Sequence, residues 1–234
     1  MGGLSILWDP RATLEAVRDA PGRPWLAPLL IVVLVGAAAT SFHFVRMDVS
    51  AQLLEQMAAN LPEGQEDALD KMEGMIGFIA AFTMVAAYVG PVIWLLAMGF
   101  VAWLMSKVFG GSGSFTQGLA VAALAQMPQV YAGVLTVPVS LLRATPPGLQ
   151  DLQSLLRVHP AAFSDLAATD PLFALSSAFG LFALWSLAMA IAGTSIVFDI
   201  KPWQSALGWT LLKVSGTAMA VAGAMAGAAA GGVS

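Results

Sequence analysis

Apolar residues fill this chain in long blocks, and regular alternation of apolar and polar positions is confined to the stretches between them. About twenty successive apolar residues suffice for a helix to cross a hydrocarbon core of about 30 Å. By that criterion the pattern predicts an all-α fold, a polytopic transmembrane helical bundle of about five membrane-spanning helices. They fall at about 24–45, 75–109, 115–142, 172–198 and 203–232, within a single integral membrane domain covering 1–234. Four and six crossings are the neighbouring alternatives. The 75–109 block is too long for one plain crossing, since a helix of that length reaches about 50 Å. Gly90-Pro91 predicts a kink inside it, and a reversal there would leave too few residues for a full span before the turn. The expectation is one long bent helix that starts outside the bilayer. Pro128 and Pro138 are further kink points in the third block.

The polar stretches carry their own structure. In the 1–23 lead, Asp9-Pro10 followed by Arg11 to Asp19 predicts a short amphipathic cytoplasmic helix, with Leu7, Trp8, Leu14 and Val17 resting on the membrane surface. Val49, Leu53, Met57 and Leu61 recur every four residues in the first connector, 46–74, and Pro62-Glu63-Gly64 ends that stripe. A second connector covers 143–170, and Asp199, Lys201 and Pro202 predict a tight turn. With the N-terminus inside, six of the ten Lys and Arg (Arg11, Arg18, Arg23, Lys107, Lys201 and Lys213) fall on the cytoplasmic side. Trp8, Trp25, Trp103, Trp203 and Trp209 gather near the same interface as an aromatic belt. Both signals predict N-in, C-out.

Composition changes the picture by exclusion. Of 234 residues 58% are hydrophobic and 10% charged, whereas soluble domains carry about a quarter charged. No separate soluble domain fits beside the spans. The net charge of −4 argues against nucleic acid as a partner. Cysteine is absent, which excludes disulfides, thiolate chemistry and palmitoylation. Leu26–Gly36 with Ala37-Ala38-Ala39 has the outline of a signal peptide, but Asp9, Glu15 and Asp19 precede it and the apolar run continues past it. Ile6 stands where a myristoylation signal wants Ser or Thr.

Candidate chemistry is sparse. Glu66, Asp70 and Glu73 share a helical face and are read as a solvated acidic surface rather than a cation site. His43, near the outer end of the first span, and His159, in a connector, stand apart, so no two-histidine zinc motif exists. Lys213 has two readings. If the fifth helix starts at Trp203, this lysine is an intramembrane charge. The favoured alternative lays Trp203–Leu212 along the interface, starts the crossing at Val214 and lets Lys213 snorkel. Gln126 and Gln129 share a face about Pro128 and, with Tyr131, mark an internal polar site; they line a solute path or satisfy backbone freed by the kink, the second being favoured. Gly223, Gly227 and Gly231 recur every four residues, the small-residue pattern that lets helices approach closely, within the bundle or against a partner. No phosphate loop, Ser-His-Asp set or His-Glu-x-x-His pattern is present. The expectation is therefore no enzyme, no cofactor and no metal.

Three stretches together resemble the Ypt-interacting protein (Yip) family, in its bacterial branch. The lead Trp8-Asp9-Pro10-Arg11-Ala12-Thr13 through Arg23-Pro24-Trp25-Leu26-Ala27-Pro28-Leu29-Leu30 is similar to that branch's entry into its first span. Gly110-Gly111-Ser112-Gly113-Ser114-Phe115-Thr116-Gln117 with Met127-Pro128 is similar to its cytoplasmic link and third helix, and Leu181–Leu187 to its fourth. The resemblance implies five membrane helices and a cytosolic N-terminus. Eukaryotic members bind Rab-type GTPases, but this lead is far shorter than theirs and no Asp-Leu-Tyr-Gly-Pro stretch precedes the first span, so GTPase binding is not carried over. The function expected is a non-enzymatic inner-membrane adaptor. It meets membrane lipids and, through helix contacts, another membrane protein or itself. The alternative is a small-solute transporter or channel, or a subunit of one, using the Pro-kinked second and third helices.

Overall fold

The computed structural model describes residues 9–19, 26–46, 66–142, 156 and 171–231. The Val49–Leu61 stripe, His159, Trp8, Trp25 and most of the second connector lie outside these residues, as do the side chains of Glu66, Asp70, Glu73, Gly227 and Gly231. Every regular element described is a helix: α1 (Pro10–Asp19), α2 (Leu26–Arg46), α3 (Glu66–Val108), α4 (Phe115–Leu141), α5 (Pro171–Ser177), α6 (Leu181–Phe198) and α7 (Pro202–Gly231). Four stretches among the described residues are long and apolar enough to cross a membrane, namely Leu26–His43, Gly77–Val108, Phe115–Leu141 and Leu181–Phe198. The long second block is one continuous helix of 43 residues with Pro91 inside it.

The bundle is organised around α4, which packs against α1, α2, α3 and α6. Its residues from Gly118 to Ala125, with Met127 and Pro128, are buried, and five of these ten are Ala or Gly. Small side chains on every face let four neighbours come close to one helix. The closest approach is to α3, where a Cβ added at Gly118 would run into the Gly99 carbonyl oxygen, and one at Gly99 would sit 3.1 Å from the Leu119 Cα. Gly193 on α6 meets Val121 in the same way, at 3.0 Å.

The links from α3 to α4 and from α6 to α7 interlock at one end. Gly110 and Gly113 take positive φ, 74° and 146°, values that favour glycine. Ser112 N donates to the Phe198 carbonyl at 3.1 Å, Ser195 Oγ donates to Ile200 O at 2.8 Å, and Phe198 is wholly buried. Ser114 then caps α4 reciprocally with Gln117: Gln117 N donates to Ser114 Oγ and Ser114 N to Gln117 Oε1, as a capping box does. Asp9 caps α1 through its Oδ1, which accepts from Ala12 N at 3.0 Å.

Two expectations fail here for one reason. Leu14 and Val17, expected on the membrane surface, are 1% and 6% exposed and belong to the main core, Leu14 reaching Gly193. Trp209, expected in an interfacial belt, is 2% exposed, and its Nε1 donates to Thr194 Oγ1 at 2.8 Å. In both cases a surface offered by the protein replaces the one assumed to be lipid. Trp203 is exposed at the interlocked end.

Candidate functional site

The helix α7 decides the surroundings of Lys213. It runs unbroken from Pro202 and packs on α5 and α6. Ser205 Oγ donates to Ile191 O and Trp209 Nε1 to Thr194 Oγ1, so Trp203–Leu212 runs alongside α6, a candidate span, rather than apart from the bundle. The tie between Trp209 and Thr194 gives this segment, expected along the interface, a buried protein partner. Lys213 is partly buried one turn further on.

A cleft of about 510 Å³ opens beside it, between α3, α4, α6 and α7. Its polar wall consists of Gln126 and Gln129 from α4, Ser186 from α6, and Lys213 and Thr217 from α7. Trp94, Met98, Leu187, Trp209 and Leu212 form much of the rest. A second cleft, of about 630 Å³, lies between α2, α3 and α4, with Thr40, His43, Ala87, Pro91 and Gly133 on its walls. Trp94, Gln126 and Gln129 border both. The two glutamines thus stand at a partition, and the prolines explain why the backbone there is polar. Pro91 has no N–H to give to the Ala87 carbonyl four residues back, and Pro128 none for Leu124.

The structure brings together three of the residues the sequence singled out, Gln126, Gln129 and Lys213. Tyr131 lines neither cleft; its ring stacks on Trp185 with centroids 6.3 Å apart, and its hydroxyl has no hydrogen-bond partner among the described residues. His43 is buried, with Nε2 3.1 Å from Thr136 Oγ1. That hydroxyl gives its own proton to Gly133 O, so the imidazole Nε2 is the donor. Gly223 is exposed, and a Cβ there meets nothing within 4 Å; Gly227 and Gly231 continue the same helix. No group of three or more His, Asp and Glu side chains able to hold a metal ion comes together among the described residues.

Ser186, Thr217 and Trp94 were missed in the sequence. A signal exists: Trp209, Lys213, Gly216, Thr217 and Ala220 fall on one face of α7, as do Ala183, Ser186, Leu187 and Ala190 on α6. Only the pairing of those faces gives them meaning.

No curated protein and no solved structure matches the chain. A family model does: the Yip1 domain matches residues 4–227, nearly the whole length. Its match covers the lead, the interlocked links and all four apolar spans described above. This chain therefore belongs to the Yip family of helical membrane proteins.

Proposed function

We propose that the chain is a non-enzymatic membrane adaptor of Yip type, from the family's bacterial branch, that docks a second copy or another membrane protein through helix–helix contact. It lies in the inner membrane with five crossings, α7 being the fifth, its N-terminus inside and its C-terminus outside. The orientation draws support from charge: Arg18, Lys107 and Lys201 lie at or beside the interlocked end, as a cytoplasmic side would have them.

The observation that carries the adaptor reading is a contrast between glycines. Gly99, Gly118, Gly193 and Gly208 are spent on contacts inside the bundle, while on α7 Gly216 opens onto the cleft beside Lys213 and Gly223, two turns on, has open space where a side chain would be. Met219 and Met225 beside them are 76% and 59% exposed. Gly223, with open space beside it, is available to another helix, and Gly227 and Gly231 continue its four-residue repeat in the sequence. The test uses the absence of cysteine: Gly223→Cys is oxidised in native membranes, alone and combined with Gly227→Leu. A discrete crosslinked species that Gly227→Leu removes is expected. A monomer throughout sinks the docking face.

The partition at Gln126 and Gln129 favours a second reading, a solute path between the two clefts. Flux into liposomes that survives Gln126→Leu with Gln129→Leu would remove it.

A further inference from the structure

The cleft beside Lys213 has an electrostatic imbalance. Lys213 is the one charged side chain among the described residues that line it, and no carboxylate faces it there. The ion pairs of the described residues, Arg11–Glu15 and Arg18–Asp19, lie in α1. Counting along the helices, Pro202 to Lys213 and Phe115 to Gln126 are each eleven residues. With α4 and α7 starting from the same interlocked end, both side chains stand about 16 Å along the bundle at a rise of 1.5 Å per residue, deep in a core of about 30 Å. A cation held there without a counter-charge is expensive.

The remaining polar groups all can donate. Gln126 and Gln129 supply amide N–H groups, Thr217 a hydroxyl, and Ser186 a buried hydroxyl with no hydrogen-bond partner among the described residues. Beyond them the wall is apolar, and about 510 Å³ is the size of a small-molecule site. We propose that this cleft binds an amphipathic anion, its phosphate or carboxylate head at Lys213 and the two glutamines and its hydrocarbon tail against Trp94, Met98 and Leu212. A membrane phospholipid and a soluble acyl acid share that chemistry. The inference goes beyond the docking reading and does not need it.

The purified full chain in neutral detergent is titrated with phosphatidylglycerol and with phosphatidylcholine, and bound lipid is counted by native mass spectrometry. One saturable phosphatidylglycerol, preferred about tenfold, is expected, an amount equal to about 1.4 kcal/mol. Lys213→Gln should abolish the preference and Lys213→Arg keep it, while Lys201→Gln, on the exposed link, should leave it unchanged. Equal preference in Lys213→Gln, or an equal loss in Lys201→Gln, overturns the site. Octanoate and inorganic phosphate then compete as soluble probes. Displacement by octanoate alone supports a tail-bearing anion from either source, and displacement by neither supports the phospholipid. Displacement by phosphate alone overturns the tail assignment. Wild-type protein that favours no anionic probe overturns the proposal outright. If Lys213→Gln loses its folded thermal transition, Gln126→Leu with Gln129→Leu takes its place, with a threefold or greater loss expected and an unchanged preference overturning the site. Gly227→Leu should leave lipid binding intact, which separates this result from the fate of the docking face.

Discussion

The side-chain amide of Gln117 donates to the main-chain carbonyl of Arg18 at 3.0 Å, and more weakly to that of Val17 at 3.4 Å, tying the C-terminal end of α1 to the first turn of α4. The oxygen of the same amide accepts from Ser114 N at 2.9 Å. One residue therefore starts a buried helix and finishes an amphipathic one. The carbonyls at the end of a helix have no partner within it, and Gln117 supplies one. With Leu14 and Val17 inserted between α4 and α6, the lead becomes a fitted cover of the bundle's end.

Replacing Gln117 by Glu separates the two roles. The carboxylate still accepts from Ser114 N but has nothing to donate to Arg18. Loss of a net hydrogen bond of about 1 kcal/mol should speed amide exchange in residues 11–19 about fivefold while α4 stays protected. Gln117→Leu also takes away the acceptor of Ser114 N, about 1 kcal/mol more, and should loosen the first turn of α4, although the main-chain N–H at 117 still donates to Ser114 Oγ. Equal exchange in wild type and Gln117→Glu would show that α1 is held by Leu14 and Val17 alone.

Gly118→Ala should destabilise the fold and Gly223→Ala should not. The added Cβ at Gly118 meets the main chain of α3 at Gly99, which has no rotamer to give way, and overpacking of this kind costs about 1–3 kcal/mol. At Gly223 the methyl enters open space, and changes at such positions stay within about 0.5 kcal/mol. Thermal melts in one detergent decide this, with a fall in Tm for Gly118→Ala only.

The buried chain from Trp209 Nε1 to Thr194 Oγ1 and on to Ala190 O should be a main tie between α6 and α7. Thr194→Val keeps the shape but leaves the indole N–H buried without an acceptor, at a cost of about 1–3 kcal/mol. Trp209→Phe in that background should cost less than it does in wild type. A double-mutant cycle on unfolding midpoints measures the coupling, and strictly additive changes would show that the bond contributes nothing.

The lead should loosen in acid. The hydrogen bond from Arg18, at 2.8 Å, holds the Asp19 carboxyl below its ordinary value, and Asp19 in turn raises Arg18. In the folded lead Asp19 therefore binds fewer protons than in the unfolded chain. Its contribution is complete above the ordinary carboxylate value of about 4 and is lost as the pH falls through the lowered one. Both groups are exposed, so the effect is modest. Protection of the α1 amides, taken as exchange relative to the intrinsic rate at each pH, should fall on acidification in wild type and respond less in Asp19→Asn; identical profiles would sink the assignment.

Much of the architecture was legible because crossing a membrane is a demand on composition. A long apolar run has to be a helix whatever surrounds it, since no water is there to satisfy its backbone. The apolar blocks therefore located all four candidate spans and the continuity of α3 through Pro91. The turn at Asp199-Pro202 and the helix opening at Asp9-Pro10 were equally visible, being local backbone chemistry. Gln126, Gln129 and Lys213 stood out as polar residues in apolar surroundings.

What hydropathy leaves out is the partner of each apolar face, because lipid and protein are nearly the same solvent to a leucine. Leu14, Val17 and Trp209 were assigned to the membrane for that reason, and only the packing of α1 and α7 on their neighbours moved them inside. The same limit hid the cleft. That Gln126, Ser186 and Lys213 share one wall depends on the relative rotation and register of three helices. These are set by the Gly99–Gly118 crossing and the hydrogen bond from Ser112 to Phe198 across the interlocked links, contacts between residues far apart in the chain. The sequence by itself determined which segments are helices and which of their residues are costly in lipid. Tertiary structure decided which of those residues meet.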